Sequence, residues 1–222
     1  MEKINAKQTI MIPIIQNFKT VVLAHGDFPT HKIPLSFLHN AERIICCDGA
    51  TINLLKAGLK PDYIVGDLDS LPDKVKEDYQ DILHYNPDQE TNDLSKAISF
   101  CSENGWKEIT ILSATGKRED HSLGNISLLA NYAATSHVQL LTDYGVFVPM
   151  LISTGFESVR GQQVSIFSLT PKTVFTTQHL RYPLNERTLQ SWWEGTLNEA
   201  LGNNFEIKIN HGKAIIFREY QI

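Results

Sequence analysis

The sequence predicts an α/β protein: an N-terminal, mostly parallel three-layer α/β domain over residues 1–144, followed by a C-terminal antiparallel β-sandwich domain over residues 145–222. Two observations carry this. Up to Asp143, short and almost uninterrupted apolar runs alternate with segments of helical periodicity. Such runs suit strands buried on both faces of a parallel sheet, joined by right-handed crossovers. After Asp143 the runs are β-rich and separated by Gly155, Gly161, Gly195, Gly202 and an Asn210-His211-Gly212 turn. That texture indicates hairpins.

The first-half strands are expected at Val21–Ala24, Arg43–Cys47, Tyr63–Val65, Asp81–Tyr85, Glu108–Leu112 and Val138–Leu141. Leu94, Ala97, Ile98 and Cys101 recur at helical spacing, as do Leu123, Ile126, Leu129, Ala130 and Ala133. Ser70 and Asp73 read as a capping box for the helix after the third strand. In the second half, strands are expected at Val146–Ile152, Gln163–Leu169, Val174–Thr177, Phe205–Ile209 and Ala214–Phe217, with one short helix near Leu189–Trp193.

With 42% hydrophobic and 20% charged residues, the chain has enough apolar material for one or two cores. The net charge of −5 argues against a protein held on nucleic acid by its charge. Three cysteines, Cys46, Cys47 and Cys101, give no disulfide framework, and the adjacent Cys46 and Cys47 read as small hydrophobes in an apolar run. No stretch is long enough to span a membrane or reads as a secretion signal, so a cytoplasmic protein is expected.

Open α/β sheets bind ligands at the carboxyl ends of their strands. Here those ends carry Asp48-Gly49, then Gly66-Asp67-Leu68-Asp69-Ser70, then Asp88-Gln89-Glu90-Thr91-Asn92-Asp93, then Gly116-Lys117-Arg118-Glu119-Asp120-His121. In extended chain Asp67 and Asp69 would lie on one side, ~7 Å apart between Cα atoms, and would repel without a cation between them. Mg²⁺ suits such hard oxygen ligands. The plainer account of this stretch is a strand-to-helix turn. Asp93 supplies a third carboxylate on that edge, or simply complements the dipole of a helix capped by Thr91 or Asn92. Lys117 and Arg118 beside Gly116 make an anion site at a helix start, with Asp120 as the expected cap. Acidic residues for a metal and basic residues for phosphate are the recurring parts of phosphoryl transfer. P-loop, dinucleotide and protein-kinase signatures are missing.

In this order the motifs resemble the thiamin pyrophosphokinase family over nearly the whole chain. The matching segments are Asp48-Gly49-Ala50, Gly66-Asp67-Leu68-Asp69-Ser70, Asp88-Gln89-Glu90-Thr91-Asn92-Asp93-Leu94 and Gly116-Lys117-Arg118-Glu119-Asp120-His121. Leu180-Arg181-Tyr182-Pro183-Leu184 and Gly195-Thr196-Leu197-Asn198-Glu199 follow in the second half. The resemblance implies transfer of the terminal diphosphate of ATP to the hydroxyethyl group of thiamin, with Mg²⁺ required, by a homodimer that binds thiamin between subunits. It implies that Asp67, Asp69 and Asp93 hold Mg²⁺ and position the hydroxyl, and that either Asp69 or Asp93 takes its proton. Asp48, Gly49 and Thr91 belong to the nucleotide–metal edge and Gln89 to the diphosphate or hydroxyl. Gly116, Lys117, Arg118, Asp120 and His121 address ATP. Tyr182 stacks on thiamin, while Thr196 and Asn198 bond its aminopyrimidine. The chain departs from the family pattern at Ala50, Ile52-Asn53, Lys117 and Leu197. Leu197 removes a hydroxyl near the expected thiamin ring. Rival readings are a pyrophosphokinase acting on a hydroxymethylpterin, a phosphatase with Asp67 as nucleophile, and a thiamin or nucleotide sensor without catalysis. Leu71 stands where the phosphatase class wants Thr or Val.

Overall fold

The computed structural model of the chain describes residues 10–221. The expectation that residues 1–9 open the first domain lies outside them. In chain order the strands are β1 (Met11–Ile12), β2 (Thr20–Leu23), β3 (Arg43–Cys47), β4 (Tyr63–Gly66), β5 (Leu83–Tyr85), β6 (Glu108–Leu112), β7 (His137–Leu141) and β8 (Gly145–Met150). Then come β9 (Thr154–Glu157), β10 (Gln163–Ser168), β11 (Val174–Gln178), β12 (Arg187–Thr188), β13 (Asn198–Glu199), β14 (Asn204–Ile209) and β15 (Ala214–Glu219). The helices are α1 (Lys32–His39), α2 (Thr51–Lys56), α3 (Asp73–Asp78), α4 (Asp93–Glu103) and α5 (Glu119–Tyr132). Two compact units form: Asn17–Pro149, and residues 10–16 together with 150–221.

In the first unit the strand order is β8-β7-β6-β2-β3-β4-β5. All neighbours are parallel except β7 and β8. Val21, Val22, Leu23, Ile45, Ile64, Ile109 and Ile111 are fully buried, as their unbroken apolar runs require. The chain leaves β2 on one side through β3, β4 and β5, then returns to its other side with β6. That reversal is a topological switch point, where a crevice opens beyond the strand ends. Helix α4 packs against β2, β3 and β4, and α5 against β7. Asn92 caps α4 by accepting from the Ser95 amide at 2.9 Å, and Leu94, Ala97, Ile98 and Cys101 are buried on its inner face. All three cysteines are buried. Burial pushes the thiols of Cys46 and Cys101 up to about 12 and that of Cys47 well above its ordinary value, so they pack as unreactive small hydrophobes.

Several expectations change. Asp81 and Ile82 belong to a 3-10 turn, and the strand is only Leu83–Tyr85. It lies at the sheet edge with Tyr85 66% exposed, because an edge strand need not bury both faces. No capping box forms at Ser70 and Asp73; Pro72 precedes α3 without a side-chain cap. Leu123 is exposed, whereas Leu129 and Ala130, further along α5, are buried.

The two compact units divide at Pro149–Met150. Strand β8 turns back antiparallel on β7, and the Thr142 hydroxyl closes that turn by accepting from the amides of Tyr144 and Gly145. On the other side, β1 joins the second unit by parallel pairing with β9.

The second unit is a sandwich. One layer is the five-stranded sheet β1-β9-β14-β11-β12, and the other contains β13, β10 and β15. Phe156, Phe175, Phe205 and Ile207 of the first layer share one core with Val164, Ile166, Ala214 and Ile216 of the second. Phe156 and Phe205 stack with centroids 5.1 Å apart. The Asn210-His211-Gly212 turn does not make a hairpin. It carries the chain from β14 in one layer to β15 in the other, with Gly212 at φ 86° and hard against Thr170 and Thr173. The short helix expected near Leu189–Trp193 is a 3-10 turn at Trp192–Gly195, held by a Ser191–Glu194 capping box.

Candidate active site

A cleft of about 450 Å³ opens at the switch point of the first unit. Asp67, Gln89, Thr91 and Asp93 line one part of it. Gly116, Lys117, Arg118 and His121 line another. The loops after β4 and β5 therefore bring carboxylates to the same opening as the cations after β6.

Each acidic group is placed by local backbone chemistry. Asp48 follows β3 in a buried 3-10 turn and is 2% exposed. Its Oδ1 accepts from the Gly49 amide at 2.5 Å, while its Oδ2 is buried with no hydrogen-bond partner. Burial first, and the Asp93 charge second, push its carboxyl above the usual range, with Asp67 adding to the repulsion. Gly66 has to be glycine here, because a Cβ would lie 2.9 Å from the Asp48 carboxyl carbon.

Asp67 and Asp69 are not in extended chain. Leu68 takes φ 63°, and the Asp69 amide donates to Asp67 Oδ1 at 3.2 Å, which closes an Asx turn. This contact does most to lower the Asp67 carboxyl below its ordinary range, with Gln89 Nε2 donating to Oδ2 at 3.4 Å. Asp69 itself is exposed on the turn and does not line the cleft. The turn wins over the strand because Gly66 ends β4 and an Asx bond satisfies the freed amide.

Asp93 opens α4 and accepts from Lys96 Nζ at 3.1 Å. The Lys96 side chain is 3% exposed. Burial opposes its charge, but the Asp93 hydrogen bond and the charges of Asp93, Asp67 and Asp88 outweigh it and raise its pKa. Sequence reasoning missed Lys96. The signal was available: a lysine on the buried face of α4, three residues after an aspartate. His25 also lines the cleft and lies against Gly49, where a Cβ would meet its Nδ1 at 2.3 Å. Burial, then the Lys117 charge, lower its pKa.

Thr91 bonds Asp88 Oδ2 at 2.5 Å and so shapes the loop before α4. Gly116 at φ 82° and Lys117 at φ 56° form the left-handed corner after β6, and Lys117 Nζ donates to the His25 carbonyl at 2.8 Å. Asp120 is not the helix cap; Arg118 holds that position and Asp120 lies in the first turn. Its carboxylate pairs with Arg118 at 2.6 Å, and that hydrogen bond holds its pKa down to about 2. A carboxyl NMR titration should find Asp120 ionised down to that pH, and Arg118→Ala should return its midpoint to the ordinary carboxylate range. An unchanged midpoint would show that the pair does not persist in solution.

Tyr182, Thr196 and Asn198 come together in a separate groove of about 360 Å³ in the second unit, with Trp193 and Leu197. Tyr182 is 61% exposed. Asn198 is spent largely on backbone: its Oδ1 accepts from the amides of Tyr182 and Glu199, and its Nδ2 donates to the Tyr182 carbonyl. Thr196 donates to the Trp193 carbonyl at 2.7 Å. Leu197 is 75% exposed and takes φ 56°, an unusual conformation for leucine.

Among the described residues, no three His, Cys, Asp or Glu side chains form a ready-made metal cage. The donor set nonetheless fits Mg²⁺, which is held by one or two carboxylates plus substrate phosphates. The fit rests on a buried, unpartnered Asp48 oxygen within the field of two other aspartates.

The fold and its cleft define the class: an α/β unit with a carboxylate- and cation-lined crevice at its switch point, followed by a β-sandwich. Residues 35–141 match the family model of the thiamin pyrophosphokinase catalytic domain, and residues 145–217 that of the thiamin pyrophosphokinase substrate-binding domain. The chain is 34% identical over 145 residues to thiamine pyrophosphokinase 1 of Oryza sativa subsp. japonica, covering 59% of this chain and 55% of that protein. It is 30% identical over 177 residues to the thiamine pyrophosphokinase of Bacillus subtilis, covering 75% and 82%. The crystal structure of a Bacillus subtilis thiamine pyrophosphokinase superposes with a TM-score of 0.74 at 25% identity, covering 92% of this chain and 100% of that one. The chain spans about half the length of the two rice relatives that it matches. It belongs to the thiamin pyrophosphokinase family.

Proposed function

We propose that the chain transfers a diphosphate group from ATP to the hydroxyethyl oxygen of thiamin, giving thiamin diphosphate and AMP. The observation that carries this reading is the single cleft that Asp67 and Asp93 share with Lys117 and Arg118, beside the buried Asp48. Family membership supplies the acceptor. Neither the hydroxymethylpterin nor the sensor reading draws support from the relatives.

The thiamin hydroxyl oxygen bonds to the β-phosphorus of ATP as the bond from that phosphorus to the oxygen of the α-phosphate breaks. AMP leaves with that oxygen. Of the two candidate bases Asp69 and Asp93, Asp93 lines the cleft and takes the hydroxyl proton. Lys117 and Arg118 face the phosphates and stabilise charge that develops on them. Gln89 orients the hydroxyl or diphosphate from the opposite part of the cleft. Asp67 and Asp93, with Asp48 beside them and Asp69 on the adjoining turn, would hold Mg²⁺. Bound there, the ion would neutralise phosphate oxygens and align the triphosphate. Tyr182 stacks on a thiamin ring and Thr196 and Asn198 flank its polar edge. The active form is a homodimer with thiamin held between subunits, and it works in the cytoplasm. Among the described residues no helix is long and apolar enough to cross a membrane.

AMP release from ATP and Mg²⁺, measured with and without thiamin and with the thiamin product weighed by mass spectrometry, tests the proposal. AMP that appears only with thiamin, with a product heavier by one diphosphate, is the expected result. ATP binding without thiamin-dependent AMP would overturn the choice of acceptor.

A further inference from the structure

Of the buried residues of α4, Lys96 alone carries a charge; its neighbours on that face are Leu94, Ala97, Ile98 and Cys101. A lone ammonium in such surroundings gives up its proton rather than stay charged. Here carboxylates from two loops hold the charge in place. Asp93 accepts from Nζ at 3.1 Å, and the Lys96 side chain is 3% exposed. Asp67, after β4, and Asp88, after β5, act on it through their charges. The action is mutual. The carboxyl of Asp67 is lowered first by the Asp69 amide and that of Asp88 first by the Thr91 hydroxyl, and the charge of Lys96 adds to both.

Lys96 also lines the main cleft together with Asp67 and Asp93. A fixed cation therefore already stands among the carboxylates assigned to the metal. Resting on the proposed Mg²⁺-dependent transfer, we infer that Lys96 is a built-in counter-cation: it balances the carboxylate set from inside, so that the nucleotide-free protein binds a divalent ion only weakly and takes it up together with the triphosphate.

The physical argument is one of charge. Carboxylates gathered without a cation repel one another and draw a dication from solution. A fixed unit charge a few ångströms from that dication opposes its entry by more than about tenfold in affinity at the effective dielectric of a protein surface. The triphosphate reverses the balance, because its oxygens supply the missing ligands and the missing negative charge. Lys117 and Arg118, on another part of the cleft wall, then face those phosphates rather than the metal. Lys96 is thus a positioning residue: it acts through Asp93 and the charge of the set.

Mn²⁺ is the probe, since it takes the same hard oxygen ligands and its free form is read by electron paramagnetic resonance without turnover. The whole chain, free of nucleotide, is titrated with Mn²⁺ alone. The wild-type protein should bind it with a Kd of about a millimolar or weaker, the range of poorly charged oxygen sites. Lys96→Met keeps the length of the side chain, removes the charge and should tighten binding about tenfold or more. A long side chain is needed because Lys96 also lines a cavity of about 370 Å³ beside β5, with His84 and Phe100, which Ala would join to the cleft. Lys96→Gln removes the same charge and retains a donor for Asp93, so it should match Met within about threefold and serves if Met does not fold. Lys96→Arg keeps the charge and should stay within about threefold of wild type. Combining Lys96→Met with Asp93→Asn should abolish the gain, because a carboxylate leaves with the cation. Micromolar binding by the wild-type protein overturns the inference. So does Mn²⁺ binding by the Met and Gln variants no tighter than wild type, and so does tightening by Arg equal to that by Met, since charge would then not be the cause. Each of these leaves thiamin-dependent AMP release by the wild-type protein standing. Absence of that release with the Mn²⁺ pattern intact removes the proposed reaction and keeps the counter-cation.

Discussion

Replacing Asp93 by Asn should lower thiamin-dependent AMP release by roughly a hundred- to ten-thousand-fold, the range for loss of a positioned acid–base group. The fold should survive. Asp93 is the carboxylate most connected to the rest of the cleft: it lines the wall, bonds Lys96 at 3.1 Å and raises the proton affinity of Asp48. Asn keeps the shape and removes the charge. Lys96 then remains buried, with its nearest anion gone. Breaking a fully buried pair costs about 3–5 kcal/mol. Here the Asp93 side chain is 38% exposed, so water screens the pair and the cost should be nearer about 1–2 kcal/mol. A fall in Tm of roughly 2–8 °C accompanies that cost in a chain of this size. Steady-state AMP assays and a melting curve on one preparation separate the two effects. Unchanged turnover would move the reacting groups elsewhere in the cleft. A collapse of the melting transition would make Asp93 a structural counter-ion first.

The largest expected loss of stability lies in the second unit, at Arg218. Its side chain is fully buried on β15. Nη1 donates to the Glu157 carbonyl at 2.9 Å and reaches that of Ile12 at 3.5 Å, while Nη2 donates to the Pro13 carbonyl at 2.9 Å. The guanidinium carbon lies 5.2 Å from the Phe156 ring centroid. Burial lowers its pKa to about 10, and the charge of Glu157 opposes the shift, so the group is still cationic at neutral pH. One planar fork thus ties residues 12 and 13 to β9. Arg218→Met removes the charge but strands buried carbonyls, each costing about 1–3 kcal/mol when left unpaired. Removing a desolvated cation returns part of that. The net should be a loss of about 2–4 kcal/mol and a Tm lower by roughly 4–16 °C. Amide exchange should speed up first in β9 at Gly155, whose N–H bonds the Ile10 carbonyl. Arg218→Lys should recover little, because an ammonium cannot reproduce the fork. A Met variant as stable as the parent would mean that desolvation of the cation cancels all three contacts.

Much of the fold was legible because it is written in short-range chemistry. The unbroken apolar runs of β2, β3, β4, β6 and β7 need two covered faces, and the structure covers them. The α4 helix announces itself by its spacing and by Asn92 at its cap. The carboxylates and cations could be assigned to one sheet edge because parallel strands all end on the same side. The failures share a cause as well. Nothing local tells the Asn210–Gly212 turn to change sheets. A two-residue strand such as β1 exists only because β9 lies beside it.

At the site the division is the same. By itself the sequence determined which chemical groups are present and on which edge they fall: Asp67, Asp93, Lys117 and Arg118 all follow the ends of parallel strands. Only the tertiary structure decided which of them face one another. It drew Asp67 and Asp69 into an Asx turn in place of extended chain, buried Asp48 without a partner for one oxygen, and folded Lys96 beneath Asp93. It also used Arg218 as an internal tie. The reason is physical. Caps, turns and periodicity are set by neighbours a few residues apart, whereas burial, sheet order and the field at a carboxylate depend on segments that meet only when the chain is folded.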